Sequence, residues 1–146
     1  MKGICLQSDS HTYLLDTNII LRFLLADDPV QTRSATDLMA KVEEGKISVE
    51  IKDFVLLETV WVLESSCRVP RKEIADKLIN ILNLSGIVNA NRSNLIQALL
   101  SFKETKIDLA DCLLAAYSSP TTPVISFDRD LEKLGAHKGA IRLQLF

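Results

Sequence analysis

The sequence predicts an α/β fold, with a mostly parallel sheet covered by helices on both faces. Three observations carry this. Short apolar runs ("YLLD", "KISVEI", "PVISF") alternate with longer segments of helical period. Prolines, glycines and acidic caps punctuate the chain between them. The chain has 146 residues, 47% hydrophobic and 25% charged, which suits one domain with its own core. Strand–helix alternation of this kind forces crossovers, and crossovers give parallel pairing.

The elements follow in order. Residues 1–11 are polar and read as a flexible extension, ahead of a single domain over 12–146. Tyr13 to Asp16 reads as a short strand. Asn18 to Leu25 is a short apolar helix stopped by "ADDP". Pro29 opens a helix to about Glu44, ended by Gly45. "KISVEI" (46–51) is a second strand. Asp53 can cap a long helix through "FVLLETVWVLESSC". Pro70 starts another helix, to about Asn83, and "GIVNA" (86–90) is a short strand. Ser93 to Thr105 and Asp108 to Ser118 have helical period. "PVISF" (123–127) is the clearest strand by composition. Asp128 to Leu134 is a brief helix, and "IRLQLF" closes the chain as a strand.

The bulk numbers exclude several classes. The formal net charge of −2 gives no electrostatic footprint of a nucleic-acid binder, although it leaves room for a nucleic-acid enzyme whose metal ions neutralise phosphate. The three cysteines, Cys5, Cys67 and Cys112, show no zinc-ligand spacing and suit reduced thiols in the cytoplasm. The N-terminus lacks a signal-peptide core, and no run is long enough to span a bilayer. His11 and His137 lie in polar end regions and read as surface residues.

The acids are the informative residues. Asp16 ends the first strand and Asp128 ends "VISF". On neighbouring parallel strands the two would share one edge of the sheet, about 4.8 Å apart. Alternatively, each simply caps the helix that follows. Glu58 has Phe54, Val55, Trp61 and Val62 as its helical neighbours, so it points along a core-like stripe. It then needs a partner, unless it lies at the edge of the stripe and reaches water. Asp108 and Asp111 share the first turn of a helix. Asp108 suits an N-cap, whereas Leu114 and Ala115 continue the face of Asp111 inward. Carboxylates from distant segments repel if they meet, by about 4 kcal/mol per pair at 4 Å. A divalent cation relieves this, and an all-oxygen ligand set selects Mg²⁺ or Mn²⁺. Such sites commonly serve phosphoryl transfer. No Gly-rich phosphate loop, GxSxG or Cys/His pair offers a rival chemistry.

"LLDTNIILRFLL", "LLETVWVLESSCRVPRKEI", "IDLADCLLAA" and "VISFDRDLEKL", in that order over about residues 13–134, resemble a PIN domain, and more narrowly the VapC toxins of toxin–antitoxin pairs. The resemblance implies a three-layer α/β/α sandwich around a mostly parallel central sheet. It implies an endoribonuclease dependent on one or two Mg²⁺ or Mn²⁺ ions. Asp16, Glu58, Asp111 and Asp128 would be the catalytic and metal-binding acids, with Asp108 as a frequent extra one. Thr17 and Asn18 of the DTN signature would orient Asp16 and its surroundings. Ser126 would bond to a ligand carboxylate or water. Arg22 and Arg129 are candidates to meet phosphate, though each also reads as a solvated surface residue. The implied partners are RNA, a VapB-like antitoxin and a second copy of the chain. About twelve residues precede the first strand, more than is usual in the family.

Two other readings compete. A phosphohydrolase of the haloacid-dehalogenase type would use Asp16 as nucleophile. It needs a second Asp two positions on, and Asn18 stands there. A scaffold that binds RNA or a partner without cutting is the non-enzymatic alternative.

Overall fold

The computed structural model describes residues 11–137 and 139. The chain divides into two compact units at Arg92/Ser93.

In the first unit, β1 (Thr12–Leu14) and β2 (Ser48–Glu50) pair in parallel, with Tyr13 opposite Val49. Beyond β1, the Leu15 N–H donates to the Glu50 carbonyl at 3.0 Å. Val49 also forms one parallel bridge to Ile87. Its N–H donates to Gly86 O at 2.8 Å, and its carbonyl accepts the Val88 N–H at 3.0 Å. "GIVNA" therefore contributes a single bridging residue, not the expected strand. The cause is local: Asn89 substitutes its side chain for the next rung. Its Oδ1 accepts the Ile51 N–H at 2.9 Å and its Nδ2 donates to the Ile51 carbonyl at 2.7 Å. Gly86 is required beside this bridge, because a Cβ there would sit 2.2 Å from Ile47 O and 2.6 Å from Val42 O.

The helices of this unit follow their caps. α1 (Thr17–Leu25) stops at Ala26, which takes the left-handed conformation at φ 51°. α2 (Pro29–Glu43) has Pro29 in its first turn, and the Asp28 carboxylate accepts the N–H groups of Val30 and Gln31. Gly45, at φ 72°, turns the chain toward β2. α3 (Asp53–Trp61) begins after Lys52, so Asp53 is its first helical residue and not the expected cap. The Asp53 carboxylate instead accepts from Asn91 Nδ2 at 3.0 Å. The long helix expected through Cys67 changes character at Val62. Val62–Ser66 is a π-helical turn, closed by Cys67 N–H to Val62 O at 3.1 Å. α4 (Arg71–Leu82) follows Pro70. Ile20, Met39, Ile51, Leu56, Ile74 and Leu78 are among the buried side chains of this unit.

α5 (Arg92–Glu104) opens the second unit, followed by α6 (Leu109–Tyr117) and α7 (Asp130–Lys133). Leu95, Leu99, Phe102, Leu113 and Leu131 are buried. "PVISF" is not a strand among the described residues. Val124 alone pairs, donating to His137 O at 2.7 Å and accepting from Gly139 N–H at 2.8 Å. Ile125 and Phe127 are 70% and 84% exposed. β composition describes a segment that fits a half-buried pleated surface, and composition alone does not create one. The helix expected from Asp128 to Leu134 is shortened to α7. "IRLQLF" and residues 1–10 of the expected extension lie outside the described residues, while His11 and His137 are exposed as expected. Among the described residues no helix is long and apolar enough to cross a membrane.

Candidate active site

In the first unit the site is built where β1 gives way to α1. Asp16 is exposed and sits at the α1 N-cap, with Oδ2 accepting the Asn18 N–H at 3.3 Å. The capping role is therefore realised, through Oδ2. The next residue, Thr17, is 4% exposed. Its hydroxyl donates to Glu58 Oε2 at 2.9 Å, tying the start of α1 to the middle of α3. Thr17 thus orients Glu58, where the resemblance assigned it to Asp16. Asn18 acts on Asp16 through its backbone N–H.

Glu58 departs from the inward-pointing reading and takes the alternative one: it is exposed at the edge of its stripe, of which Val55 is buried. Phe54 and Trp61, one turn to either side, are 69% and 64% exposed. Val55, Leu56, Thr59 and Val60 form the buried face. α3 is apolar nearly all round, so composition could not say which side faces inward.

In the second unit the acids surround the start of α6 and of α7. Asp108 occupies the N-cap position of α6 but makes no side-chain capping bond; its carbonyl accepts the Cys112 N–H at 3.1 Å. Asp111 is half-buried. Burial, and then the negative charges of Asp128, Asp108 and Asp130, hold its carboxyl above the usual carboxylate value. Leu114 is exposed, so the face of Asp111 does not continue inward as expected. Asp128 lies in a turn and not at a strand end. Its N–H donates to Ser126 Oγ at 3.0 Å, and its Oδ1 accepts the Asp130 N–H at 2.8 Å. Ser126 thus shapes the turn that presents Asp128. Asp130 is the acid that the sequence reading passed over. Its signal was the "DRD" spacing, which sets a second carboxylate beside the first, and it also pairs with Lys133 at 3.0 Å.

The two arginines differ. Arg22 is committed to the α1–α2 turn: its Nη1 meets both carboxylate oxygens of Asp27 at 2.8 and 2.9 Å, and its Nε donates to Gln31 Oε1 at 2.7 Å. This guanidinium holds the Asp27 carboxyl below its ordinary value. Arg129 is exposed, at the N-cap of α7.

Among the described residues no group of three or more His, Cys, Asp or Glu is arranged to hold a metal ion. The donor chemistry nevertheless fits a hard divalent cation. The acids around Asp111 offer only oxygen, and their mutual repulsion is what such an ion relieves.

The model of the PIN domain family matches residues 13–136. No curated protein and no solved structure matches the chain.

Proposed function

This chain belongs to the PIN domain family, whose α/β fold with a parallel sheet it shares and whose members are typically metal-dependent nucleases; on that premise we propose that it is an endoribonuclease of the VapC type, the toxin of a type II toxin–antitoxin pair. The observation that carries the reading is the Thr17–Glu58 hydrogen bond. It fastens the DTN segment to the second family acid, as a site that must hold a carboxylate in a fixed pose requires.

The residues assigned to the reaction are Asp16, Glu58, Asp111 and Asp128, with Asp108 as an additional acid. They would hold one or two Mg²⁺ or Mn²⁺ ions. When bound, the ion supplies an activated water and charge stabilisation at the phosphoryl group. Thr17 fixes the carboxylate of Glu58, and Ser126 sets the turn of Asp128. Arg129, at the N-cap of α7, makes no side-chain capping bond, and its guanidinium suits a phosphate oxygen. Arg22 reaches phosphate only by releasing Asp27. Attack by water leaves 5′-phosphate and 3′-hydroxyl ends. The reading includes a cytoplasmic location, a homodimer and a VapB-like antitoxin.

The test is RNA cleavage with Mn²⁺ by the wild type and by Asp16→Asn. Asparagine caps a helix about as well as aspartate, so the variant keeps its fold and loses cleavage. Mn²⁺ raises the melting temperature of the wild type and not of the variant. Products ending in 2′,3′-cyclic phosphate refute the mechanism. A second reading, a scaffold that binds RNA without cutting it, is favoured by the lack of a three-acid metal group among the described residues. RNA binding with no metal-dependent cleavage would establish it instead.

A further inference from the structure

We propose that Asn91 and Asp53 are positioning residues for the candidate site. With Asn89 they continue the sheet through side chains, and so set the pose of α3 and of Glu58 against Thr17. The catalytic consequence rests on the nuclease reading; the positioning itself does not.

One register is kept through three kinds of group. Val49 bridges Ile87 by backbone alone. Two residues on, the backbone of Ile51 pairs with the side chain of Asn89. Two further on, the carboxylate of Asp53 accepts the side-chain amide of Asn91 at 3.0 Å. In all three pairs the two residues stand 38 positions apart. A parallel ladder therefore runs past its last backbone rung and ends inside the first turn of α3. The two asparagines are also joined, since Asn89 Nδ2 donates to Asn91 Oδ1 at 3.0 Å. A carboxamide carries the donor and acceptor of a peptide group, so it can stand in for one.

The ladder ends where it can govern Glu58. Lys52, at the N-cap of α3, makes no side-chain capping bond, whereas Asp53 ties the helix start to Asn91. The other end widens into the π-helical turn at Val62, whose N–H is shared between the carbonyls of Glu58 and Thr59. Val55, Leu56, Thr59 and Val60 choose which face is buried, but apolar contact has no preferred direction. The fine pose falls to directional bonds. Glu58 lies about 7.5 Å along the axis from Asp53, so a tilt of about 10° pivoted there carries it roughly 1 Å. That shift takes the 2.9 Å bond from the Thr17 hydroxyl out of hydrogen-bond range.

Two experiments on the full chain test this. The first is a double-mutant cycle of Asn91→Ala and Thr17→Val in urea. Expected is coupling. Thr17→Val lowers the unfolding midpoint of the wild type, and lowers that of Asn91→Ala less than half as far, because the bond to Glu58 is already lost there. The second is a swap series read by RNA cleavage with Mn²⁺. Asn91→Asp sets a carboxylate against that of Asp53, and kcat falls roughly 10- to 100-fold while KM changes little. Adding Asp53→Asn restores a donor across the same pair, with its direction reversed, and brings kcat back to within about threefold of wild type. Asp53→Asn alone changes little, since Asn91 still finds an acceptor. Circular dichroism checks each fold, and Asn91→Ala replaces Asn91→Asp in the kinetics if the latter does not fold.

The proposal is overturned if Thr17→Val costs Asn91→Ala as much as it costs the wild type. It is equally overturned if Asp53→Asn fails to rescue a folded Asn91→Asp, since the ladder then serves the fold alone. The two readings fail separately. Coupling in a chain that cleaves no RNA removes the nuclease and leaves the positioning. Cleavage with an additive cycle removes the positioning and leaves the nuclease.

Discussion

Asn89 offers the sharpest test of how the first unit holds its candidate site. Its side chain closes three hydrogen bonds: to the N–H and carbonyl of Ile51, at 2.9 and 2.7 Å, and to Asn91 Oδ1 at 3.0 Å. Ile51 is 1% exposed and lies two residues before α3, the helix that carries Glu58. Asn89→Ala strips both backbone groups of Ile51 of their partner. A buried polar group left without one costs about 1–3 kcal/mol, so two cost roughly 2–6, and a water entering the gap brings the sum to ~3 kcal/mol. Asn89→Asp keeps the acceptor and loses the donor, and at neutral pH it sets a carboxylate oxygen against the Ile51 carbonyl. It should be at least as damaging as alanine at pH 7. It should recover as the pH falls and the new carboxyl becomes protonated, because the acid O–H can then donate. Urea unfolding followed by circular dichroism at several pH values measures both, with the slope checked for constancy. If both variants stay within about 0.5 kcal/mol of wild type at pH 7, the side chain is not acting as a rung of the sheet, and the account of why "GIVNA" forms no strand fails with it.

Other outcomes follow from the same geometry. Thr17→Val should lower kcat for RNA cleavage more than it changes KM, with a stability loss of about 0.5–1.5 kcal/mol, since exposed Glu58 regains water in place of the hydroxyl. Asp111 is held above its usual range, so the folded chain takes up a proton there before the unfolded chain does. Its contribution to stability therefore improves as pH falls toward the ordinary carboxylate value, and Asp111→Asn should remove that dependence in melting curves between pH 7 and 4. Asp27 acts in the opposite sense: its ion pair with Arg22 is lost as pH falls below its ordinary value, and Asp27→Asn should flatten that acid limb. Gly86→Ala should destabilise by more than ~2 kcal/mol in urea unfolding, because two backbone carbonyls must move to admit the methyl group.

Much of the fold was legible where local chemistry decides it. Pro29 and Gly45 bracket α2, Pro70 precedes α4, and Asp16 marks the turn into α1. The acids proposed for the site stood out as isolated carboxylates in apolar surroundings. Other features were not legible, for physical reasons. Glu58 was read as inward-facing because α3 has apolar residues on both faces, and only packing chooses between them. "PVISF" was read as a strand from its composition, whereas strand formation depends on partners elsewhere in the chain. Arg22 was read as a free cation because its contacts, Asp27 and Gln31, meet it only when α1 and α2 fold back at Ala26. Asp130 was missed although its spacing was in plain view, since a second acid in a short helical turn reads first as dipole compensation.

The widened coil from Val62 to Ser66 has a consequence for how the gene can vary. Its hydrogen bonding spans five residues where the preceding helix spans four, so it holds one residue of slack. Deleting a single codon there tightens the coil to ordinary pitch and leaves Trp61 and everything before it in phase. The same deletion inside α3 would swing Glu58 away from the Thr17 hydroxyl. Length changes in this stretch of the chain should therefore survive selection after Trp61 and be purged before it.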